Sequence, residues 1–378
     1  MDFKERNTYT KDDSLKIKGI AALMILIFHF FRSAKAMKKL SLVTIPFSVN
    51  SMAYLSDLCK MGICVFAFIT GYGLLLSIKN RQMPKEQTLK WYISRLLKTM
   101  SGYYFIFILM AVVTQIVSGD VERIFFKKSI VHGIYYLLLN FLGLSNFFKT
   151  PYLRISWWYM SAAILFIILI PLIYRCSKKV GYLPILLFMI ALPRLLNIGH
   201  FKGVNPYPFI LSVLMGMIFA DYDLFVKIGE KLPKNIWTRL AVTWMTLGGL
   251  FIGWLFIFKK LDFKSNWQIS YSIFTIIMIL FFKYCIIAIK GIDSILRLIG
   301  IHSMNIYLFQ NFLRYGIFEK DLYSLKNVWL ILMVVLVISL AFSIVIEQIK
   351  KWIRYEKLID RIQLFLNNLV DGFCNEDV

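Results

Sequence analysis

Two ionisable residues, Lys18 and His29, lie within the first apolar stretch of the chain. Their spacing of eleven residues is almost three turns of an α-helix, so both side chains project from one face, about 16 Å apart along the axis. Ionisable groups inside a membrane helix are costly and are candidate functional residues. A cation and an imidazole at that separation could hold a long anionic donor, a shape that coenzyme A thioesters have. The simpler alternative is a lysine that snorkels to the headgroups and a structural interior histidine.

Further polar and aromatic candidates stand at the ends of later apolar segments. Arg95 and Lys98 are one helical turn apart, and they could bind phosphates of a donor or anchor a helix at lipid headgroups. Trp157 and Trp158 suit either the aromatic belt of a membrane surface or the face of a sugar ring.

A third set of candidates lies near the end of the chain. Ser303 and Tyr307 are four residues apart on one helix face, and Gln310 follows them. Their side chains could point into a central cavity or bond a neighbouring helix. Because polar groups inside a membrane must face protein or water, we predict a cavity that is polar along five residues, Lys18, His29, Ser303, Tyr307 and Gln310.

The composition indicates an integral membrane protein. Of 378 residues, 59% are hydrophobic and 16% aromatic, which is more apolar surface than a soluble domain of this length buries. The net charge of +23 lies mostly in short loops such as 79–98 and 350–361, as expected beside anionic headgroups rather than for nucleic-acid binding. The five cysteines have no metal-binding spacing, so we expect neither a disulfide framework nor a metal site.

Eleven apolar segments follow one another along the chain. The weakest, 132–148, is short, and its apolar run is interrupted by His132, Asn140, Asn146, Gly133 and Gly143. We therefore expect this segment to be shallow or re-entrant. The other ten predict an all-α, polytopic membrane helix bundle forming a single domain, 1–378, with a core at 17–346 and a cytoplasmic amphipathic tail at 347–378. The segments are 17–34, 61–78, 101–118, 132–148, 155–175, 180–196, 206–222, 238–258, 267–289, 299–317 and 327–346.

The distribution of basic residues predicts the topology. With ten spans, the 44 Lys and Arg residues divide as 26 on the side of the termini and 18 opposite. If 132–148 also crossed, the division would be 21 against 23. Basic residues are enriched on the cytoplasmic side, so we predict ten spans with both termini cytoplasmic.

The first apolar segment resembles the first-span motif of the acyltransferase-3 family. These are bacterial membrane O-acyltransferases in which a basic residue is followed by ten residues and a histidine, and Lys18 and His29 stand at those places. Later elements are similar in order and rough spacing, so the resemblance covers residues 17 to about 346. They are the Gly- and Phe-rich stretch 62–75, the basic stretch 95–98 with Tyr103, the Trp-Tyr-Met-Ser element at 158–161 and the Gly-Ile-His-Ser element that begins 300–308.

The resemblance implies ten spans, cytoplasmic termini and His29 as a catalytic residue. The sequence departs from the family pattern at three places. Lys18 stands where arginine is usual, which keeps a cation but loses bidentate phosphate geometry. Ser101 stands where a proline commonly opens the third span. Gln310 stands where histidine is frequent, which leaves His29 as the strongest candidate base.

Together these patterns predict an enzyme of the bacterial cell membrane that moves an acetyl group from cytoplasmic acetyl-CoA to a hydroxyl of an extracytoplasmic or lipid-linked polysaccharide. Histidine suits the role of general base because its ordinary pKa is near neutrality. The expected partners are membrane lipids and the glycan. The alternatives are a polysaccharide flippase or polymerase, and a sensory or scaffolding protein. The predicted site comprises the catalytic His29, the donor-binding Lys18, Arg95 and Lys98, and the acceptor-binding Trp158, Ser303, Tyr307 and Gln310.

Overall fold

The fold is a bundle of α-helices. The computed structural model describes residues 7–79, 84–195, 205–260, 267–289, 291–315 and 318–376, and within them the only β-type pairing is an isolated bridge between Val43 and Asn327. The predicted all-α class is confirmed. The α-helices are α1 Lys11–Phe31, α2 Ala34–Lys39, α3 Val49–Leu58, α4 Gly62–Ile78, α5 Lys85–Ser118, α6 Asp120–Phe125, α7 Ile130–Phe141, α8 Ser145–Phe148, α9 Trp158–Val180, α10 Tyr182–Leu195, α11 Ile210–Asp221, α12 Leu224–Lys231, α13 Ile236–Lys260, α14 Trp267–Phe281, α15 Ile292–Arg314, α16 Glu319–Ser324, α17 Val328–Trp352 and α18 Tyr355–Glu376.

Several helices are long and apolar enough to cross a membrane. Six in the described part of the chain meet that standard, and a seventh does if the pair α11 and α12, bent by 67°, forms one broken span. The predicted number of ten therefore stays a prediction. The ends of three predicted segments, 180–196, 299–317 and 347–378, extend outside the described residues. The six spans are Lys11–Phe31, Val49–Ile78, Glu86–Ser118, Ile155–Val180, Ile269–Ile286 and Val328–Trp352.

The segment predicted to be shallow or re-entrant contains two short helices. α7 has 12 residues, about 18 Å of helix, which is too short for a hydrocarbon core of about 30 Å. Gly143 follows the end of α7 in a left-handed conformation, with φ +73°, which glycine adopts readily. Gly133 lies inside α7, where a Cβ atom would be 2.2 Å from the Phe126 ring, so the glycine serves close packing.

The helix that carries Lys18 and His29 begins earlier than its apolar stretch. Thr10 and Asp13 form a capping box, in which the Thr10 hydroxyl accepts from the Asp13 backbone N–H and the Asp13 carboxylate accepts from the Thr10 backbone N–H. Asp13 also accepts from Lys283 at 2.6 Å. These bonds satisfy backbone donors that a helix start leaves open, so α1 is continuous from Lys11 to Phe31.

Close glycine contacts hold two helix pairs together. In α1 and α15, a Cβ at Gly19 would be 2.1 Å from the Leu296 carbonyl oxygen, and one at Gly300 would be 1.8 Å from the Leu15 carbonyl oxygen. Helices approach this closely only where side chains are absent. This contact holds α1 directly beside α15, so the polar residues of the two helices lie in the same part of the bundle.

The tail folds as a helix beyond the last span. α17 continues to Trp352, and Arg354, with φ +55°, separates it from α18. α18 is tied to α5 by an ion pair between Asp371 and Lys90 and by a 2.9 Å hydrogen bond from the Tyr355 hydroxyl to the Ser101 carbonyl. Its apolar face is exposed, as a surface helix requires, and its cytoplasmic location stays a prediction. The exposed apolar residues of α18 include Leu358, Ile362, Phe365, Leu369 and Phe373.

Candidate functional site

All eight predicted site residues line one cavity. Its volume is ≈ 920 Å³, and its walls come from α1, α4, α5, α9, α15 and the segment before α9. The cavity follows α1 from Lys11 to Arg32, a length of about 30 Å at 1.5 Å per residue. The structure therefore brings together residues that the sequence separates by nearly 300 positions. The eight residues are Lys18, His29, Arg95, Lys98, Trp158, Ser303, Tyr307 and Gln310.

One end of the cavity is basic; we call it the proximal end and define it by Lys11, Lys18, Arg95 and Lys98. Among the described residues, neither Lys18 nor Lys98 forms an ion pair or hydrogen bond, whereas Lys16, outside the cavity, pairs with Asp12 at 2.7 Å. No carboxylate is among the cavity-lining residues that the structure describes. This end is thus suited to bind an anionic group.

His29 lies near the other end of the cavity, in the last turn of α1. Its ring contacts that of Phe28, with centroids 5.2 Å apart, and it has no hydrogen-bond or ion-pair partner within the described chain. The imidazole is half-buried. It is therefore free to take a proton from a group that enters the cavity.

Three cations at this end of the cavity were not predicted from the sequence. Arg32 directly follows α1, Lys60 precedes α4 and Arg314 ends α15, and all three line the cavity. We call the end formed by Arg32, Lys60 and Arg314 the distal end. The side chains of Arg32 and Arg314 both act electrostatically on His29. Their only signal in the sequence is a position at a helix end, which basic residues occupy commonly for other reasons.

Two amides of α15 that line the cavity are buried without partners among the described residues. Gln310 is 0% exposed and Asn311 2% exposed, and both line the cavity. Neither polar atom of the Gln310 amide, nor the Asn311 side-chain oxygen, has a hydrogen-bond partner among the described residues. Buried amides are almost always hydrogen-bonded, so these groups have the property of a site that is completed by a ligand.

The hydroxyl groups on the same helix already donate to protein. The Ser303 hydroxyl donates to the Gly300 carbonyl at 2.8 Å, and the Tyr307 hydroxyl donates to the Ser156 carbonyl. Both residues line the cavity, where their oxygens remain possible acceptors. The sequence allowed the Tyr307 hydroxyl either to point into a cavity or to bond a neighbouring helix. The structure shows a bond to the segment that precedes α9.

The two adjacent tryptophans have different environments. Trp158 lines the cavity and packs against Phe209, with ring centroids 5.6 Å apart. Trp157 is 1% exposed, and its indole N–H donates to the Leu308 carbonyl at 3.0 Å. The interpretation of Trp157 as part of an aromatic belt is therefore wrong, because its side chain is inside the bundle.

An ion cluster orders the loop that leads to the cavity wall. Asp120 accepts hydrogen bonds from Arg154, at 3.0 Å, and from Arg123. Burial would raise the pKa of the Asp120 carboxyl, but the hydrogen bonds from Arg154 and Arg123 outweigh it and hold that pKa below its usual value. The cluster joins the start of the loop to the segment that carries Ser156 and Trp158.

Gly71 and Gly73 have separate roles, although they are only two residues apart on α4. A Cβ at Gly71 would be 2.1 Å from the Val213 carbonyl oxygen of α11. At Gly73 no described atom lies within 4 Å of such a Cβ, and this glycine lines the cavity. Gly73 therefore widens the cavity instead of packing helices.

The comparison with protein families decides the class of the chain. A family model described as an acyltransferase domain matches residues 16–348. The chain belongs to the acyltransferase-3 family. Comparisons with curated proteins and with solved structures returned no significant match. The matched range includes every residue of the predicted site and ends before α18.

The family membership makes the protein a membrane acyltransferase. The prediction of the family is confirmed, and the cavity is the candidate active site of this enzyme. His302, another histidine of α15, is not among the residues that line the cavity. Its ring forms a hydrogen bond with Ser343 of α17 at 2.8 Å, which is a structural role.

Proposed function

We propose that this acyltransferase moves an acetyl group from cytoplasmic acetyl-CoA to a carbohydrate hydroxyl at the opposite face of the bacterial cell membrane. The observation that supports this most directly is the single cavity that follows α1 and carries Lys18 at one level and His29 eleven residues further on. Such a cavity suits a donor with phosphates at one end and a thioester at the other.

In the proposed mechanism the donor lies along the cavity. Lys18, Arg95 and Lys98 bind its phosphates, as charge-assisted contacts are the strong ones. His29 takes the proton of the acceptor hydroxyl while the oxygen forms a bond to the thioester carbonyl carbon. The carbon–sulfur bond then breaks, and the coenzyme A thiolate leaves and receives the proton from His29. A covalent acetyl-histidine intermediate is an alternative order of the same bond changes.

The acceptor is proposed to be a polysaccharide, exported or lipid-linked. Trp158 offers an aromatic face to a sugar ring, and Gln310 has unpartnered donors and an acceptor that match sugar hydroxyls. Ser303 and Tyr307 supply oxygens that accept hydrogen bonds. The family membership disfavours the flippase and polymerase alternatives, since neither needs a thioester.

Analysis of ester-linked acetate in the envelope and secreted polysaccharides tests the proposal. Cells that lack the protein should lose acetate from one polysaccharide, and the wild-type gene should restore it. The gene for His29→Ala should fail to restore acetate, whereas that for His302→Ala should succeed. An unchanged acetate content in every polysaccharide fraction would contradict the proposed reaction.

A further inference from the structure

The distal end is more basic than a site for a neutral sugar needs. Arg32, Lys60 and Arg314 come from three separate segments and converge on the cavity near His29. Two carboxylates lie in the neighbourhood, Asp57 near Lys60 and Glu319 near Tyr323. Neither is among the lining residues. The cavity surface at this end is thus positive.

The two arginines have no carboxylate partner in the described chain. Arg32 lies over the Phe28 ring at 5.5 Å, and Arg314 lies over the Tyr315 ring at 4.4 Å and interacts with the Tyr323 hydroxyl. A guanidinium held against an aromatic ring keeps its hydrogen-bond donors free for a planar anion, which it binds with two parallel bonds. Charge repulsion between unneutralised cations is relieved when an anion binds.

The second observation is independent of charge. Gln310 and Asn311 are buried, unpartnered and within four residues of Arg314 on α15. On a helix, residues three and four apart share a face, so the amides and the guanidinium of Arg314 lie along one wall. Amides in that position match the hydroxyls of a sugar ring.

The distal end is well separated from the proposed donor phosphates. Lys18 and Arg32 are fourteen residues apart on α1, about 21 Å, whereas His29 and Arg32 are three residues apart, about 4.5 Å. A negative charge bound by Arg32 and Arg314 therefore lies next to the acceptor hydroxyl and not next to the coenzyme.

We infer that the distal end binds an acidic acceptor, a carbohydrate that carries a carboxylate or phosphate beside the hydroxyl that His29 deprotonates. This inference rests on the proposed function and deepens it by giving the acceptor class. Arg32 and Arg314 bind the anion, and Gln310 and Asn311 bind neighbouring hydroxyls. A neutral sugar would bind weakly, because it would displace water from these cations without replacing its interactions.

Binding to the full-length protein in phosphatidylcholine nanodiscs tests the inference. The probes are digalacturonate, a disaccharide with two carboxylates, and maltose, its neutral counterpart. Digalacturonate should bind at least about tenfold more tightly than maltose, and Arg32→Gln/Arg314→Gln should weaken it by at least about tenfold, since charge-assisted contacts have this size. Arg297→Gln, which removes a cation of α15 outside the cavity, should leave its affinity unchanged.

Two further measurements separate the possible failures. Adenosine 3′,5′-bisphosphate, which carries phosphates of the donor, should bind Arg32→Gln/Arg314→Gln as it binds wild type and should bind Lys18→Gln poorly. Normal binding of adenosine 3′,5′-bisphosphate to the double variant shows that this variant is folded. If the bisphosphate did not bind the wild-type protein, that result would count against the proposed donor and not against the acidic acceptor. Equal affinity for the two disaccharides, or no effect of the double variant on digalacturonate, would overturn the inference. If phosphatidylglycerol added to the nanodiscs displaced digalacturonate, and did so only when Arg32 and Arg314 are present, the inference would be overturned in favour of a lipid headgroup.

Discussion

His29 is half-buried in the last turn of α1, faces the cavity and has no hydrogen-bond partner among the described residues. A histidine in this state differs from His302, whose ring is bound to Ser343. The difference lies in access rather than burial, because His29 lines the cavity that a substrate would enter and His302 does not.

We predict that His29→Ala lowers kcat by about 10²- to 10⁴-fold, the usual contribution of general acid–base catalysis. Donor binding should survive, because proton transfer stabilises only the transition state. The measurement is acetyl transfer in lipid nanodiscs, with acetyl-CoA binding determined separately. His302→Ala is the matched control and should keep kcat near the wild-type value. Near-normal turnover by His29→Ala would remove the catalytic assignment.

Lys18 should act on donor affinity. We predict that Lys18→Ala raises the KM for acetyl-CoA about ten- to a hundredfold, which corresponds to the loss of roughly 1.5–3 kcal/mol from one charge-assisted contact. Lys18→Arg should retain activity, because it keeps the cation and adds a bidentate geometry. The measurement is the dependence of rate on acetyl-CoA at saturating acceptor.

Lys16 provides the control for that series. It is two residues from Lys18, but it pairs with Asp12 at 2.7 Å and Asp293 at 3.4 Å and does not line the cavity. Lys16→Ala should leave the KM for acetyl-CoA unchanged. An equal rise in KM for both variants would mean that general surface charge, and not a phosphate contact, attracts the donor.

At the scale of elements, glycines decide which helices touch and which leave space. Gly19 and Gly300 bring α1 and α15 into contact, and Gly71 does the same for α4 and α11. Because α1 and α15 carry most of the polar lining, their contact sets the width of the cavity at Ser303 and Gln310. Gly73 is on the same helix as Gly71 but faces the cavity.

These two glycines predict opposite results for the same substitution. Gly71→Ala should lower thermal stability, because a methyl group 2.1 Å from the Val213 carbonyl oxygen forces α4 and α11 apart. Overpacking of this kind costs about 1–3 kcal/mol or more. Gly73→Ala should unfold at the wild-type temperature, since its Cβ meets open space. Thermal unfolding of the purified proteins measures both, and equal Tm values would contradict the packing assignment.

At the scale of the whole molecule, the basic charge and the apolar surfaces are those of an integral membrane protein. The Lys and Arg residues outnumber Asp and Glu by 44 to 21, and the cavity-lining residues that the structure describes include seven cations and no carboxylate. The charge is therefore not confined to loops that meet headgroups. Part of it is inside the bundle, where it is available to anionic substrates.

The predicted topology can be tested independently of activity. Reporter fusions after residue 118 and before residue 155 should both report the outer side, and fusions at either terminus should report the cytoplasm. The reason is the charge division of 26 to 18 together with the 12-residue length of α7, too short to span alone. Opposite sides for the two loop fusions would show that 132–148 crosses the membrane.

The sequence alone was sufficient for every feature that depends on neighbours along the chain. Hydropathy over about twenty residues indicated a helical membrane protein, and the 3.6-residue period placed Lys18 and His29 on one face. The motifs identified the family. Five residues of two helices, expected from the sequence to share one cavity, do line one cavity: Lys18, His29, Ser303, Tyr307 and Gln310. Helix periodicity is local, so these inferences needed no knowledge of packing.

Only the tertiary structure decided which faces meet. It buried Trp157 instead of placing it at the membrane surface, packed Gly133 against Phe126 inside a continuous helix, and left Gly73 free to widen the cavity. It also brought Arg32, Lys60 and Arg314 to one end of the cavity. Contacts between helices depend on crossing angles and on the absence of side chains at a few positions. That information is distributed over pairs of residues far apart in the chain, and a linear pattern does not contain it.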